Sequence, residues 1–236
     1  MKPAANWAAV VIPALNEEKV VAKVVREARQ APGVGLVVVV DDGSTDRTSA
    51  LARGAGAVVI RHGKNRGVGA ALRDGYALAA RRGFGSVVTM GGDDQDRASE
   101  IPRLLRALQA GNDFVQGSRW ARGGRVVGIP LFRRVTTVVY SLLFSILAGR
   151  RITDGTNGFR AFRTSILAGI NLDQEWLDTY ELEPYLYWSA IRKGFRVTSA
   201  PVTKTYPATG YTRMRPFRDW WRILKPLVLL ALRIRK

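Results

Sequence analysis

The residues able to do chemistry fall in three short clusters: Pro-Ala-Leu-Asn-Glu-Glu (13–18), Asp-Asp-Gly-Ser-Thr-Asp (41–46) and Gly-Gly-Asp-Asp-Gln-Asp (91–96). Each follows a short apolar run that reads as a strand. In the third, Asp93 and Gln95 stand at alternate residues just after Gly91 and Gly92. Carboxylate and amide oxygens so spaced on a loop suit a hard divalent ion, Mg2+ or Mn2+. Such an ion bridges two phosphates and offsets the charge that grows on a departing nucleotide. The glycines let backbone approach a pyrophosphate closely. Taken alone, Asp-Asp-Gly-Ser reads as a turn and helix cap, and Asp96 or Ser99 as the cap of the next helix. Three clusters on one sheet edge read instead as a binding site.

The elements that must place them there alternate along the first half. Strands are expected over 7–13, 36–42, 57–61, 86–90 and 113–118, with helices over 16–31, 44–56, 67–83 and near 99–110. Ser44 is the expected cap of the second helix. The run Leu-Val-Val-Val-Val (36–40) is apolar without alternation, as a strand covered on both faces should be. This βαβα series predicts an α/β fold: a mostly parallel sheet flanked by helices, with ligands beyond the carboxyl ends of its strands. Later elements are expected at 130–149 (helix), 158–163 (strand), 179–193 (helix) and 195–202 (strand). No linker separates a second domain, so residues 1–216 read as one unit and 217–236 as a basic amphipathic helical extension.

Several site classes are excluded. There is no cysteine, and His62 is the only histidine, so thiolate and multi-histidine metal sites cannot form. No Gly-x-x-x-x-Gly-Lys-Ser/Thr occurs, and no Gly-x-Gly-x-x-Gly follows the first strand. The segment Gly-Lys-Asn-Arg-Gly (63–67) could touch phosphate or be a tight turn. The N-terminus lacks a signal-peptide core, and with no cysteine the expected setting is cytoplasmic.

The formal charge of +18 is unevenly spread: residues 1–118 hold 16 basic and 12 acidic side chains, whereas 119–163 hold nine basic side chains and Asp154 alone. Residues 192–236 hold 12 basic side chains and only Asp219. An anionic partner is therefore expected on the second half. The longest apolar stretch there, 135–149, would reach roughly 22 Å as a helix, short of a ~30 Å hydrocarbon core. The segments 129–151 and 215–236 join apolar runs to flanking arginines, and the second carries Trp220 and Trp221. They fit an anionic membrane surface without crossing it. The competing roles are a core helix and a tail that joins two copies in a homodimer.

Taken in order, Val-Val-Ile-Pro-Ala-Leu-Asn-Glu-Glu, Val-Val-Asp-Asp-Gly-Ser-Thr-Asp-Arg-Thr, Asn-Arg-Gly-Val-Gly-Ala-Ala-Leu-Arg-Asp-Gly-Tyr, Met-Gly-Gly-Asp-Asp-Gln-Asp, Gln-Gly-Ser-Arg-Trp and Thr-Asp-Gly-Thr-Asn-Gly-Phe-Arg-Ala-Phe-Arg make a specific combination. Over roughly residues 7–215 the chain resembles family 2 glycosyltransferases, and most nearly the dolichol- and polyprenyl-phosphate mannose and glucose synthases. The resemblance implies a GT-A fold, a nucleoside-diphosphate sugar donor and Mg2+ or Mn2+. It implies that Pro13, Leu15, Glu17, Val40 and Asp42 hold the nucleoside, with Gly92 beside the donor. Asp93 and Gln95 match the metal ligands, and Arg119 and Arg213 the basic positions near the diphosphate. One departure stands out: Gly91 occupies the place of the family's first acid, with Asp94 and Asp96 as candidate substitutes.

If the acceptor is a lipid phosphate, its anionic oxygen needs no strong base, and arginines suit it through bidentate contacts. Arg133, Arg160 and Arg163 are the candidates. A hydroxyl acceptor would need a carboxylate base, for which Asp154, Glu181 and Glu183 are available. Direct displacement inverts the anomeric centre. The rivals are a soluble family-2-like transferase with a small acceptor, and a basic nucleic-acid or membrane-binding protein. The carboxylates at three strand ends argue against nucleic acid as partner.

Overall fold

The computed structural model describes residues 8–206, 224–226 and 228–229. Chain order is β1 (Ala8–Ala14), α1 (Val21–Gln30), β2 (Val34–Asp41), α2 (Thr48–Gly54), β3 (Val58–Arg61), α3 (Val68–Arg81) and β4 (Ser86–Thr89). There follow α4 (Ile101–Gln109), β5 (Phe114–Ser118), β6 (Arg125–Val127), α5 (Leu131–Ala148), β7 (Arg160–Arg163), α6 (Leu182–Arg192), β8 (Val197–Pro201) and β9 (Thr203–Thr205). Seven strands form the main sheet in the order β3-β2-β1-β4-β7-β5-β8, and β6 pairs with β9 as a separate ribbon. All neighbours in the main sheet are parallel except β7, which runs antiparallel between β4 and β5.

Strand order reverses about β1, which lies between β2 and β4. Loops leaving those strands diverge there and open the crevice in which such sheets bind ligands. The same edge receives the ends of β5 and β8 and, because β7 is reversed, its first residue, Arg160.

Two apolar cores sandwich the sheet. Val21, Val24, Val25 and Ala28 recur at helical spacing, so α1 presents one stripe, and with α2 and α4 it covers one face. Helices α3, α5 and α6 cover the other, with Phe144 of α5 against Tyr187 and Trp188 of α6 and against Tyr140 of its own helix. Leu224, in the short described part of the tail, packs against this second core. The rest of the 217–236 extension, with Trp220 and Trp221, lies outside the described residues.

Two helix starts differ from the sequence expectation. Helix α1 begins at Val21 rather than near residue 16, because Asn16 takes a left-handed backbone (φ 52°) and residues 16–18 bond to the β2 loop. Helix α2 begins at Thr48, and Ser44 does not cap it; its hydroxyl accepts the Asn16 amide instead. Nor does any side chain cap the 3-10 turn Ala98–Glu100 or α4 behind it.

Candidate active site

The first two clusters are locked together. The Asn16 amide donates to Ser44 Oγ (2.8 Å), the Glu17 amide to Thr48 Oγ1 (2.8 Å) and the Glu18 amide to Asp46 Oδ2 (3.2 Å). In return Thr45 donates its amide to Asn16 Oδ1 (2.8 Å). Burial works against the charge on Asp46, but hydrogen bonds from Thr48 and the Glu18 amide outweigh it and hold its carboxyl below the ordinary carboxylate range. Asp41 is buried and accepts from Ser44 N and the Ser49 hydroxyl.

Asp42 sits at the expected strand end, yet its carboxylate is occupied. Oδ1 accepts the Arg66 amide at 2.9 Å and lies 2.6 Å from His62 Nδ1, while Oδ2 accepts the Gly67 amide at 2.8 Å. His62 Nε2 faces Asp74 Oδ2 at 3.0 Å. The Asp42 carboxylate thereby ties the 63–67 loop to the crevice. Two amides of that loop, those of Arg66 and Gly67, are taken up by Asp42. Val40 is wholly buried. Pro13, Leu15 and Glu17 remain partly accessible on the rim.

The acidic loop reaches this crevice through Gly92. A Cβ there would stand 3.0 Å from the Pro13 carbonyl and 3.4 Å from Ala14 Cβ, so the residue's smallness lets the β4 loop lie against β1. The loop's three acids have separate fates. Asp94 is paired with Lys23 Nζ (2.6 and 2.7 Å). Asp96 is buried, accepting the Gly91 amide on Oδ2 (3.0 Å) and Lys204 Nζ on Oδ1 (2.9 Å). Only Asp93 is exposed, its Oδ1 accepting the Gln95 amide at 3.3 Å. Both candidate substitutes for the missing acid are thus paired with lysines, Asp94 at the surface and Asp96 in the interior. Burial alone would lower the Lys204 pKa, but the fields of Asp96 and Asp93 prevail and raise it above the ordinary lysine value.

Among the described residues no group of three or more histidine, cysteine, aspartate or glutamate side chains gathers as a preformed ion cage. Asp93 and Gln95 nevertheless fit an ion that arrives with its other ligands, because Mg2+ is commonly held by one or two carboxylates plus substrate phosphates.

A third centre lies beyond β5. Arg119 is 4% exposed and Asp154 0%. The guanidinium grips the carboxylate with Nε to Oδ2 and Nη2 to Oδ1, both 2.7 Å, and the Arg119 amide adds a third bond at 3.0 Å. Nη1 donates to the Tyr206 hydroxyl (2.6 Å) and Nη2 also to Thr156 Oγ1 (2.5 Å). Burial disfavours the guanidinium charge, but Asp154 more than restores it and raises the pKa. Asp154 thus accepts from Arg119 and Thr156, and Arg119 has spent most of its N–H groups within the fold.

Of the acceptor candidates, Arg133 is half-buried beside this centre, its guanidinium carbon 5.1 Å from the Tyr206 ring centroid. Arg160 is on the correct edge but buried, bonded to the Glu183 and Asn157 carbonyls and 3.1 Å from Glu183 Oε1. Arg163 is at the other end of β7, opposite Ser86, and donates to the carbonyls of Asn112 and Leu108. The site does not include it. Glu183 is committed to Arg160, and Glu181 is buried with the Thr179 hydroxyl on it. Arg213 lies outside the described residues.

The sequence reading missed Lys23, Lys204 and Tyr206. Lys23 and Asp94 are 71 positions apart, and Lys204 and Asp96 are 108. No local spacing announces such pairs; only the excess of acids in one loop hinted that cations must meet them.

The family model described as "Glycosyl transferase family 2" matches residues 9–170. The chain is 34% identical over 211 residues to the polyprenol monophosphomannose synthase of Mycolicibacterium smegmatis, covering 87% of this chain and 80% of that protein. It is 31% identical over 224 residues to the dolichyl-phosphate hexose transferase of Haloferax volcanii, with 95% and 93% covered. In fold it is similar to glucosyl-3-phosphoglycerate synthase of Mycobacterium tuberculosis in complex with Mn2+, UDP and phosphoglyceric acid. The TM-score is 0.73 at 20% identity, over 98% of this chain and 80% of that one.

Proposed function

The chain belongs to glycosyl transferase family 2, and on that premise we propose that it moves a hexose from a nucleoside-diphosphate sugar to a polyprenyl or dolichyl phosphate, with inversion. The donor is GDP-mannose or a UDP-sugar, and the place of action is the cytoplasmic face of a membrane. The carrying observation is helix α5. Its Thr137, Tyr140, Ser141 and Phe144 are buried against the protein. Nine large apolar residues on the remaining surface, from Leu131 to Leu147, are 40–75% exposed. So wide an apolar face marks an interaction surface. The helix has 18 residues, longer than the apolar stretch read from the sequence and, by length and composition alone, enough to cross a membrane; about a fifth of it is buried in the protein. With one side occupied by the core it suits the plane of a lipid surface rather than a passage through it. Arg133, in its first turn, brings a cation to the same end as Tyr206 and Arg119. The basic 217–236 extension is proposed to add to this surface.

The reaction then needs little acid–base chemistry. An acceptor phosphate oxygen attacks the anomeric carbon; the new C–O bond forms as the bond to the donor diphosphate breaks, and the electron pair leaves with the diphosphate. The attacking oxygen is already anionic, which agrees with a site whose nearby carboxylate, Asp154, is withheld by Arg119. Pro13, Leu15 and Glu17 line the nucleoside side, with Asp42 acting through the 63–67 loop. Arg133 orients the acceptor phosphate. Asp93 and Gln95 would hold Mg2+ or Mn2+, which supplies positive charge to the leaving diphosphate. The expected experiment is turnover of a nucleotide-sugar panel with polyprenyl phosphate in vesicles, against phosphoglyceric acid in solution. Transfer only to the soluble acid would overturn the lipid assignment.

A further inference from the structure

We propose that Lys204 is a built-in counter-cation of the acidic loop, and that it makes entry of a divalent ion conditional on a nucleoside diphosphate. The inference rests on the reading of Asp93 and Gln95 as metal ligands. Lys204 is on β9, and it reaches the loop by three routes. Its Nζ donates to Asp96 Oδ1 at 2.9 Å, residues 96 and 204 form an antiparallel bridge, and the Thr205 amide donates to the Gln95 carbonyl at 3.0 Å. Asp96 in turn holds the Gly91 amide. One lysine therefore fixes both ends of the loop that carries Asp93.

Gly91 belongs to the same arrangement. A Cβ at that position would lie 2.7 Å from Asp93 Oδ1 and 3.5 Å from Asp96 Oδ2. An acid there would displace Asp93 and add a charge to a loop whose cation is already placed. With Lys204 on Asp96 and Lys23 on Asp94, the uncompensated charge is that of Asp93 alone. One carboxylate and one amide, with an ammonium beside them, bind a dication weakly. A diphosphate adds negative charge and further oxygens, and the balance turns in favour of the ion. Lys23 is more than half exposed, so solvent screens it, whereas the Lys204 side chain is 13% exposed and its field persists.

The test is Mn2+ binding to the full-length protein, read by electron paramagnetic resonance, with and without UDP or GDP. Without nucleotide, Lys204→Met is expected to bind Mn2+ on the order of tenfold tighter than wild type, because one positive charge has left the loop. Lys204→Arg keeps the charge and is expected to match wild type, as is the exposed control Lys23→Met. Asp96→Asn leaves Lys204 with Asp93 as its only acid and is expected to weaken binding, which tests the idea even if Lys204→Met fails to fold. An unchanged or weaker affinity in folded Lys204→Met, or a tighter one in Asp96→Asn, overturns the proposal. Asp93→Ala separates it from the reading beneath. If that variant loses Mn2+ binding in the presence of nucleotide while Lys204→Met is silent, only the counter-cation role falls. If Asp93→Ala binds as wild type does, the metal ligands themselves are misassigned.

Discussion

Asp154→Asn is the sharpest perturbation of this site, because it separates a positioning carboxylate from a catalytic one. The carboxylate is wholly buried and accepts three bonds from Arg119 and one from the Thr156 amide at 3.2 Å. The amide keeps the size and one acceptor oxygen but removes the charge, leaving a guanidinium at 4% exposure without its counter-ion. Breaking one side of a buried pair costs about 3–5 kcal/mol. For a chain of this size that corresponds to a melting temperature lower by roughly 6–20 °C. Removing both charges while keeping an acceptor oxygen for the Arg119 and Thr156 amides, as Arg119→Met with Asp154→Asn, leaves no unpaired charge, so the double variant is expected to melt above Asp154→Asn alone. Thermal unfolding by circular dichroism reads these shifts. Activity at a temperature where all variants are folded reads the rest. A positioning role predicts reduced turnover with the same pH dependence as wild type. Full stability together with loss of the alkaline plateau of turnover would refute the argument and restore Asp154 as the base.

Two other perturbations address separate parts of the molecule. Leu142→Glu with Ile146→Glu places charge on α5 positions that are 59% and 66% exposed; flotation with vesicles of anionic lipid is expected to fall sharply while the melting temperature stays within a few degrees. Asp46 has a folded pKa below its ordinary 3.8, so the stability it contributes is complete above that value and fades as pH falls through the lower, folded one. In acid titrations followed by circular dichroism, Asp46→Asn is expected to lose less stability than wild type across that window.

How much of this was legible beforehand divides along physical lines. The apolar runs of β1, β2 and β4 and the stripe of α1 are local patterns; the strands lie where the sequence puts them, whereas α1 starts later, at Val21, because residues 16–18 are held by the β2 loop. The strand-end location of residues 13–18, 41–46 and 91–96 followed from parallel topology, because ligand loops in such sheets leave the carboxyl edge. The reversed strand β7 was not legible: a four-residue run carries no direction, and its setting between β4 and β5 depends on pairing across the chain. Direction then decided which arginine meets the site, since Arg160 begins that strand on the crevice edge and Arg163 ends it on the other.

Sequence by itself determined the residue inventory: which oxygens are available at the strand ends, and that no thiolate or histidine cluster exists. Tertiary structure decided how that charge is spent. Asp94 and Asp96 look like ligands in the sequence, yet they meet Lys23 and Lys204; Asp154 looks like a base and meets Arg119. An ionisable side chain taken out of water must find a partner, and the partner is whichever opposite charge the fold brings within a few ångströms. These partners come from 35 to 108 positions away in the chain, so only folding selects them.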